Sequence, residues 1–347
     1  MAGAAHGGAE TAFADMCLAL HEAGATIEVA TRPDSPPRLT RLEQAGIKVH
    51  TLRFGGIFDF TTTANLRNII RGFQPAIVQT WMSRASWKTP RWQPGMKIPR
   101  YLVVSRLGGY YNLRYFRQTD YFTTITPDIA RYLTDNGIAP DRVRHINNFA
   151  ETESNAAPVS RAALGTPDDA PLLLFLGRLH RAKAVDTLLR AVAQAPGVWL
   201  WIAGEGPERT ALTALCHELG LDGRVRFLGW RDDRAALFQA ADICVFPSRY
   251  EPFGTVFVQA WAQKRPLITT AADGPRQYVR DGEDGLVVPV DDGQALAAAI
   301  TGLSADRALQ ARLSDRGHQR YLTEFTKENT VRSYLDFYGE ILKKENC

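Results

Sequence analysis

Short apolar runs alternate with segments of helical spacing along the whole chain. In the first half, TIEVAT, KVHTL, AIVQTW, RYLVVSR, YFTTIT and VRHINNF are rich in β-branched or aromatic residues and read as strands. Between them, residues 9–23, 63–73 and 127–136 place apolar side chains three and four positions apart, which predicts helices. The stretch ETESNAAPVSRAALGTPDDAP is small, polar and proline-bearing, and reads as a linker. Beyond it the alternation resumes with PLLLFLG, VWLWIAG, RVRFLG, ADICVFPS, PLITT and GLVVPV, and two helical stretches (305–324 and 328–343) close the chain. The pattern predicts an α/β protein of two doubly wound, Rossmann-like domains with mostly parallel sheets. Their expected bounds are 1–150 and 151–325, with a C-terminal helix in 326–347 packing back on the first domain. Ligands of such sheets sit at the carboxyl ends of the strands, so the strand-end loops are where chemistry is expected.

The start of the chain departs from this pattern. GGAE leading into an amphipathic helix ordinarily follows a first buried strand, yet only MAGAAH precedes Gly7. Either the domain lacks that strand or the recorded start lies downstream of the true one. The second reading is preferred, because a missing central strand leaves two strand edges unpaired.

Composition adds little to the fold and more to the partners. Of the 347 residues 45% are apolar and 22% charged, an ordinary globular balance. No apolar run approaches the roughly 18 residues that span a bilayer, and the N-terminus has no basic-then-apolar leader pattern. Cys17, Cys216, Cys244 and Cys347 are widely spaced; Cys17 and Cys244 lie in apolar patterns and read as buried thiols in a reducing cytoplasm. The seven histidines form no metal-binding pair, so no metal is expected. Residues 60–119 contain no Asp or Glu but carry ten basic residues: Arg67, Arg71, Arg84, Lys88, Arg91, Lys97, Arg100, Arg106, Arg114 and Arg117. Trp81, Trp87, Trp92, Tyr101, Tyr110, Tyr111, Tyr115 and Phe116 are interleaved with them. Such a face suits an anionic partner. Contact with anionic membrane is the expectation, since basic residues near a lipid surface add about 1 kcal/mol each and Trp and Tyr favour the interface. A solvated basic face is the plainer alternative. Nucleic acid is not expected, because no nucleic-acid motif accompanies the charge.

Four strand-end loops of the second half could carry chemistry. In GRLHRAK, Arg178 and Lys183 flank a helix mouth and could clamp a diphosphate, or be a solvated basic pair. In GEGP, Gly204 and Gly206 permit close backbone approach at a strand end, or simply make a tight turn. In FLGWRDD, Gly229 and Trp230 could flank a planar base, or Trp230 could be a packing residue. In SRYEPFGTVFVQA, a strand delivers Glu251 to its carboxyl end, and Gly254 and Thr255 open a helix whose first amides lack intrahelical acceptors. A carboxylate there suits sugar hydroxyls, and Gln259 lies about a turn and a half into the helix, on its inward face.

GGAE, GRLHRAKAVDTLLRA, GEGP, EPFGTVFVQA and DGEDGLVVPVDD together resemble the retaining glycosyltransferases of family 4, which have the two-domain GT-B fold. The resemblance covers nearly the whole chain. It implies that a nucleotide-sugar donor binds between the domains, with Arg178 and Lys183 on the diphosphate and Gly254 and Thr255 adding backbone donors. Glu251 would take hydroxyls of the donor sugar, and Gly7 and Gly8 would approach the phosphates from the first domain. The acceptor would be a cell-surface or lipid-linked glycan such as lipopolysaccharide core, reached from the inner face of the cytoplasmic membrane. Gln259 stands where the family has a second glutamate that grips the ribose hydroxyls. An amide accepts less and must place its own donors, which should cost on the order of 1–2 kcal/mol of donor binding. IVQTWM likewise offers Gln79 and Trp81 where the family often has a histidine. With no DxD triplet, metal-independent transfer is expected. Fixed cations and helix amides would then stabilise the leaving diphosphate, and its phosphate would take the acceptor proton. Two other readings are a sugar-nucleotide epimerase, whose carboxylates and histidines are not visible here, and a non-catalytic homologue acting as a partner or binding subunit.

Overall fold

The computed structural model describes residues 1–3, 7–150, 153 and 156–346. The chain divides into two compact units, Met1–Phe149 with Lys327–Cys347, and Ala150–Thr326.

Each of the twelve strand-like runs forms a strand. In the first unit these are β1 (Glu28–Thr31), β2 (Lys48–Thr51), β3 (Ile77–Trp81), β4 (Leu102–Leu107), β5 (Tyr121–Thr124) and β6 (Val143–His145). In the second they are β7 (Leu172–Leu176), β8 (Trp199–Ala203), β9 (Val225–Gly229), β10 (Ile243–Phe246), β11 (Leu267–Thr270) and β12 (Leu286–Val288). All six strands of the second unit join one parallel sheet in the order β12-β11-β10-β7-β8-β9. The LLLFL run of β7 is buried at every position, as a parallel strand covered on both faces must be. On one face, Leu188, Leu189, Ile300 and Leu303 of the covering helices pack with Leu173, Phe175, Leu200 and Ile202. Elsewhere in the unit, Phe253, Phe257, Trp261, Tyr278 and Phe325 form an aromatic cluster, with Phe257 and Trp261 edge-to-face at 4.9 Å. The Trp261 indole N–H donates to the Asp284 carbonyl at 2.8 Å, so the ring is buried without leaving its polar atom unpaired. This cluster fixes the helix Thr255–Ala262, and burial of each such ring stabilises by about 1.5–3 kcal/mol. The strand order reverses between β7 and β10, which makes that junction the place where two successive crossovers part.

In the first unit, β3-β4-β5-β6 form one parallel sheet, and β1 and β2 pair separately. Among the described residues no strand precedes the helix Gly8–Glu22. The Met1 ammonium donates to the Ala30 carbonyl at 2.5 Å, and the Met1 side chain packs with Phe13, Val29 and Trp81. The last helix, Lys327–Glu345, buries Val331, Tyr334, Phe337 and Ile341 at three- and four-residue spacing in the same cluster. Its Tyr338 hydroxyl donates to Gln79 Oε1 at 2.5 Å. Gln79, standing where the family often has an imidazole, is therefore held by a phenol of the closing helix.

The helices Pro36–Gln44 and Met82–Lys88 are absent from the sequence reading. The first is mostly polar, with only Arg38 and Leu42 buried, so its apolar signal is thin. Cys244 is fully buried, but Cys17 is only partly covered, and Cys347 lies outside the described residues.

The acid-free segment needs a larger correction. Lys88 is buried, its ammonium donating to the Gly56 and Asp59 carbonyls at 2.9 and 2.6 Å. Arg106 is also buried, stacked over the Trp81 ring at 3.9 Å and donating to Asn148. Arg91 and Arg100 pair with Asp120 and Glu345, carboxylates outside the segment. Of the ten basic residues, Arg67, Arg71, Arg84, Lys97, Arg114 and Arg117 remain exposed with no ion pair among the described residues. Trp81, Tyr101 and Phe116 are core residues, whereas Trp87 and Tyr110 reach the surface. No helix is long and apolar enough to cross a membrane.

Candidate active site

The second unit brings most of the sequence-named residues to the carboxyl ends of neighbouring strands. After β7 the chain turns through Gly177 and Arg178, makes a 3-10 turn over Arg181–Lys183, and enters the helix Val185–Ala193. After β10 it runs through Ser248 and Glu251 to the helix Thr255–Ala262. Because β7 and β10 are neighbours, the two loops meet at the reversal of strand order. The amides of Arg249 and Tyr250 donate to the Ala182 carbonyl at 2.8 and 3.3 Å. Arg249 then forks onto both oxygens of Asp186 at 2.8 Å and reaches Asp291 at 2.6 Å. Burial raises the Asp186 pKa and the bonds from Arg249 lower it; the net direction is down.

Within this frame Lys183 forms an ion pair with Glu251, and its ammonium also lies over the Phe246 ring at 5.2 Å. Both side chains are largely covered. Arg178, in the same strand-end loop, is exposed, and its side chain has no bonded partner among the described residues. One cation of the expected clamp is thus engaged by the expected sugar-binding carboxylate, and the other is unengaged.

Gly254 precedes the helix with φ +98°. A β-carbon there would lie 2.8 Å from the Phe246 ring and 3.2 Å from Glu251 Cγ, so the residue is constrained by space and by backbone. The helix starts at Thr255, and its opening amides have no intrahelical acceptor. Gly204 and Gly206 serve loop packing. A β-carbon on Gly204 would sit 1.8 Å from the Gly177 carbonyl oxygen, and one on Gly206 would sit 2.2 Å from that of Leu179. The Leu179 amide donates to the Glu205 carbonyl at 2.9 Å, and the Glu208 amide returns a bond to Leu179 at 3.1 Å. The loops after β7 and β8 are in this way laced together. Gly229 ends β9 with φ +69° and accepts from the Gly204 amide at 2.7 Å. Trp230 is 59% exposed, which removes the packing alternative. Its indole N–H donates to Asp232 at 3.1 Å, and Arg234 lies over the ring at 5.7 Å. Gln259 is buried in its helix and faces a pocket near this loop. Gly7 and Gly8 belong to the other unit, at the start of the helix Gly8–Glu22. A β-carbon on Gly7 would meet Glu10, whereas Gly8 faces open space.

Sequence reasoning named Arg178, Lys183 and Glu251 but missed Arg249, whose forked bonds hold the two loops in register. A cation two positions before the site carboxylate was the available signal.

Two α/β units with parallel sheets, the second gathering its cationic loops where strand order reverses, are the elements of a GT-B fold. The glycosyl transferases group 1 model matches residues 157–320, and that of Glycosyltransferase Family 4 matches residues 6–154. The lipopolysaccharide core biosynthesis glycosyltransferase LpsE of Rhizobium meliloti (strain 1021) is 37% identical over 330 residues, covering 95% of each chain. LpsD of the same strain, with the same description, is 34% identical, covering 97% of this chain and 96% of its own. Among solved structures, Anabaena HepE in complex with UDP superposes with a TM-score of 0.82 at 20% identity, covering 98% of each chain. The chain belongs to the group 1/family 4 glycosyltransferases.

Proposed function

We propose that this glycosyltransferase moves a sugar from a nucleotide-sugar donor to a lipopolysaccharide-core or related lipid-linked glycan, with retention of configuration and without a metal ion. The observation that carries the reading is the meeting of Lys183, Glu251 and the helix opening at Gly254 where strand order reverses. The near full-length likeness to LpsE and LpsD supports the acceptor class.

In this mechanism Glu251 holds hydroxyls of the donor sugar, and donor binding draws Lys183 towards the diphosphate. Arg178 and the amides of Thr255 and its neighbour share the negative charge as the sugar–oxygen bond breaks. Fixed donors of this kind act in the transition state without reorganisation. The departing phosphate takes the proton of the attacking acceptor hydroxyl. No side-chain base is assigned.

In the same proposal the enzyme works at the inner face of the cytoplasmic membrane, touching anionic lipid through residues 60–119. At and just before the start of that segment Ile57, Phe58 and Phe60 are 72%, 89% and 74% exposed. Their loop is stiffened by Asp59, which accepts from the amides of Gly55 and Thr62 at 2.7 and 3.0 Å, and by Lys88. Large apolar side chains on a rigid loop beside exposed cations suit a lipid interface.

The test is transfer from a panel of UDP-, GDP- and ADP-sugars onto truncated lipopolysaccharide core. One donor should be consumed with the anomeric configuration kept, in the presence of EDTA, and Arg178→Ala should lower kcat about a hundredfold. Failure with every donor, or full turnover by the variant, overturns the reading.

A further inference from the structure

Arg106 is the penultimate residue of β4, at the carboxyl end of the first unit's sheet, in register with Trp81. It is 2% exposed. Its guanidinium stacks on the Trp81 ring, donates to Asn148 and is hydrogen-bonded to Tyr334. Each of these partners is neutral. No carboxylate pairs with it among the described residues, and its Nε has no acceptor. The ionisable groups that act on it are the phenols of Tyr334, Tyr111 and Tyr338. Burial draws its pKa below the ordinary guanidinium value, yet a guanidinium keeps its proton in a protein. A charge held this deep without a counter-ion is costly, and such charges are ordinarily paired. The less deeply covered Arg161 and Arg320 each bond a carboxylate.

The turn that follows β4 adds to the imbalance. Neither the Gly108 nor the Gly109 amide has an acceptor among the described residues, although Gly109 is buried. A β-carbon on Gly108 would lie 3.6 Å from Arg106 Nη1 and 3.9 Å from the Tyr111 hydroxyl. The absent side chain therefore leaves a space bordered by that nitrogen and that phenol. A forked cation and two unbonded amides at the carboxyl end of a parallel strand are donors that lack an acceptor, which is the composition of an anion site.

We propose that Arg106 and the Gly108–Gly109 turn receive one anionic group of the acceptor glycan, a phosphate or a carboxylate, so that the enzyme selects a charged acceptor. This rests on the glycosyltransferase reading above. The guanidinium can meet two oxygens of either group at once, and the glycine amides can meet another. Binding of the acceptor then supplies the counter-ion that the folded chain withholds from Arg106.

The experiment measures transfer by the full chain, from its best donor, to soluble core oligosaccharide freed of its lipid, so that membrane contact plays no part. Three acceptors are compared: untreated core, dephosphorylated core and carboxyl-reduced core. The parent should lose about tenfold or more in kcat/KM on one of the two treated cores, which names the group. Arg106→Gln should lose as much on untreated core, lose nothing further on that treated core, and keep the parent's donor KM. A purely structural role for Arg106 would lower all three acceptors alike and overturn the inference, as would full activity of the variant. A parent indifferent to both treatments would overturn it too, with the glycosyltransferase reading left standing. Gly108→Ala decides the matter if Arg106→Gln does not fold. Its β-carbon fits at ordinary contact distance, so the melting temperature should hold. Its activity should fall severalfold on untreated core and not on the treated one, and undiminished activity on untreated core would overturn the inference. If the parent transfers to none of the three, the reading beneath the inference fails and takes it along.

Discussion

At the scale of the residue, the glycines show how far a sequence can speak for itself. GEGP reads as a place where backbone comes close to something, and so it is, but the partner is the loop after β7. Gly204 leaves no room for a β-carbon beside the Gly177 carbonyl. Gly204→Ala is expected to lower stability by about 1–3 kcal/mol, the usual range for overpacking, measured as a shift of the urea midpoint. An unchanged midpoint would mean that the loops separate freely. Gly254 answers to both space and backbone, and there the sequence reading as a helix opening holds. Charged residues were the least legible. The sequence gives the sign of Arg100 but not its partner Glu345, which lies 245 positions away. It likewise offers Lys183 and Glu251 as candidates without revealing that they pair across 68 positions.

At the scale of the element, strands such as β7, β8 and β10 were readable because each is a short, nearly continuous apolar run, the signature of a parallel sheet covered on both faces, whereas β2 and β6 are only partly buried. The helices Pro36–Gln44 and Met82–Lys88 were not readable, being short or weakly apolar, with much of their order coming from tertiary packing. The site depends on two elements keeping their register, and Arg249 supplies that link through Asp186 and Asp291. Since the folded-state pKa of Asp186 is depressed, its contribution is complete above the ordinary aspartate value of about 3.9 and fades as pH falls through the folded value. Arg249→Ala should therefore destabilise at neutral pH, with the gap from the parent narrowing below about pH 4. Paired melting curves across pH check this, and a gap that stays constant into acid would remove the pair from the account.

At the scale of the whole molecule, composition gave an overstated picture of one face. Ten basic residues without a nearby acid in sequence became six exposed ones with no ion pair among the described residues, because two are buried and two are paired with carboxylates from elsewhere. The lipid-docking proposal then rests on those six and on Ile57, Phe58 and Phe60. Co-sedimentation with phosphatidylglycerol vesicles should exceed that with neutral vesicles and fall with salt, and Phe58→Ser/Phe60→Ser should lower it severalfold. Binding indifferent to lipid charge and salt would defeat it. The chain's routing has a further consequence. Ala150–Thr326 is one uninterrupted stretch, whereas the other unit needs Tyr334, Phe337 and Ile341 to close its core. A ribosome therefore delivers the unit Ala150–Thr326 entire while the other unit still lacks the wedge that seals it. Synthesis runs from one end, but completion comes to the middle first, and the opening residues wait for the closing ones.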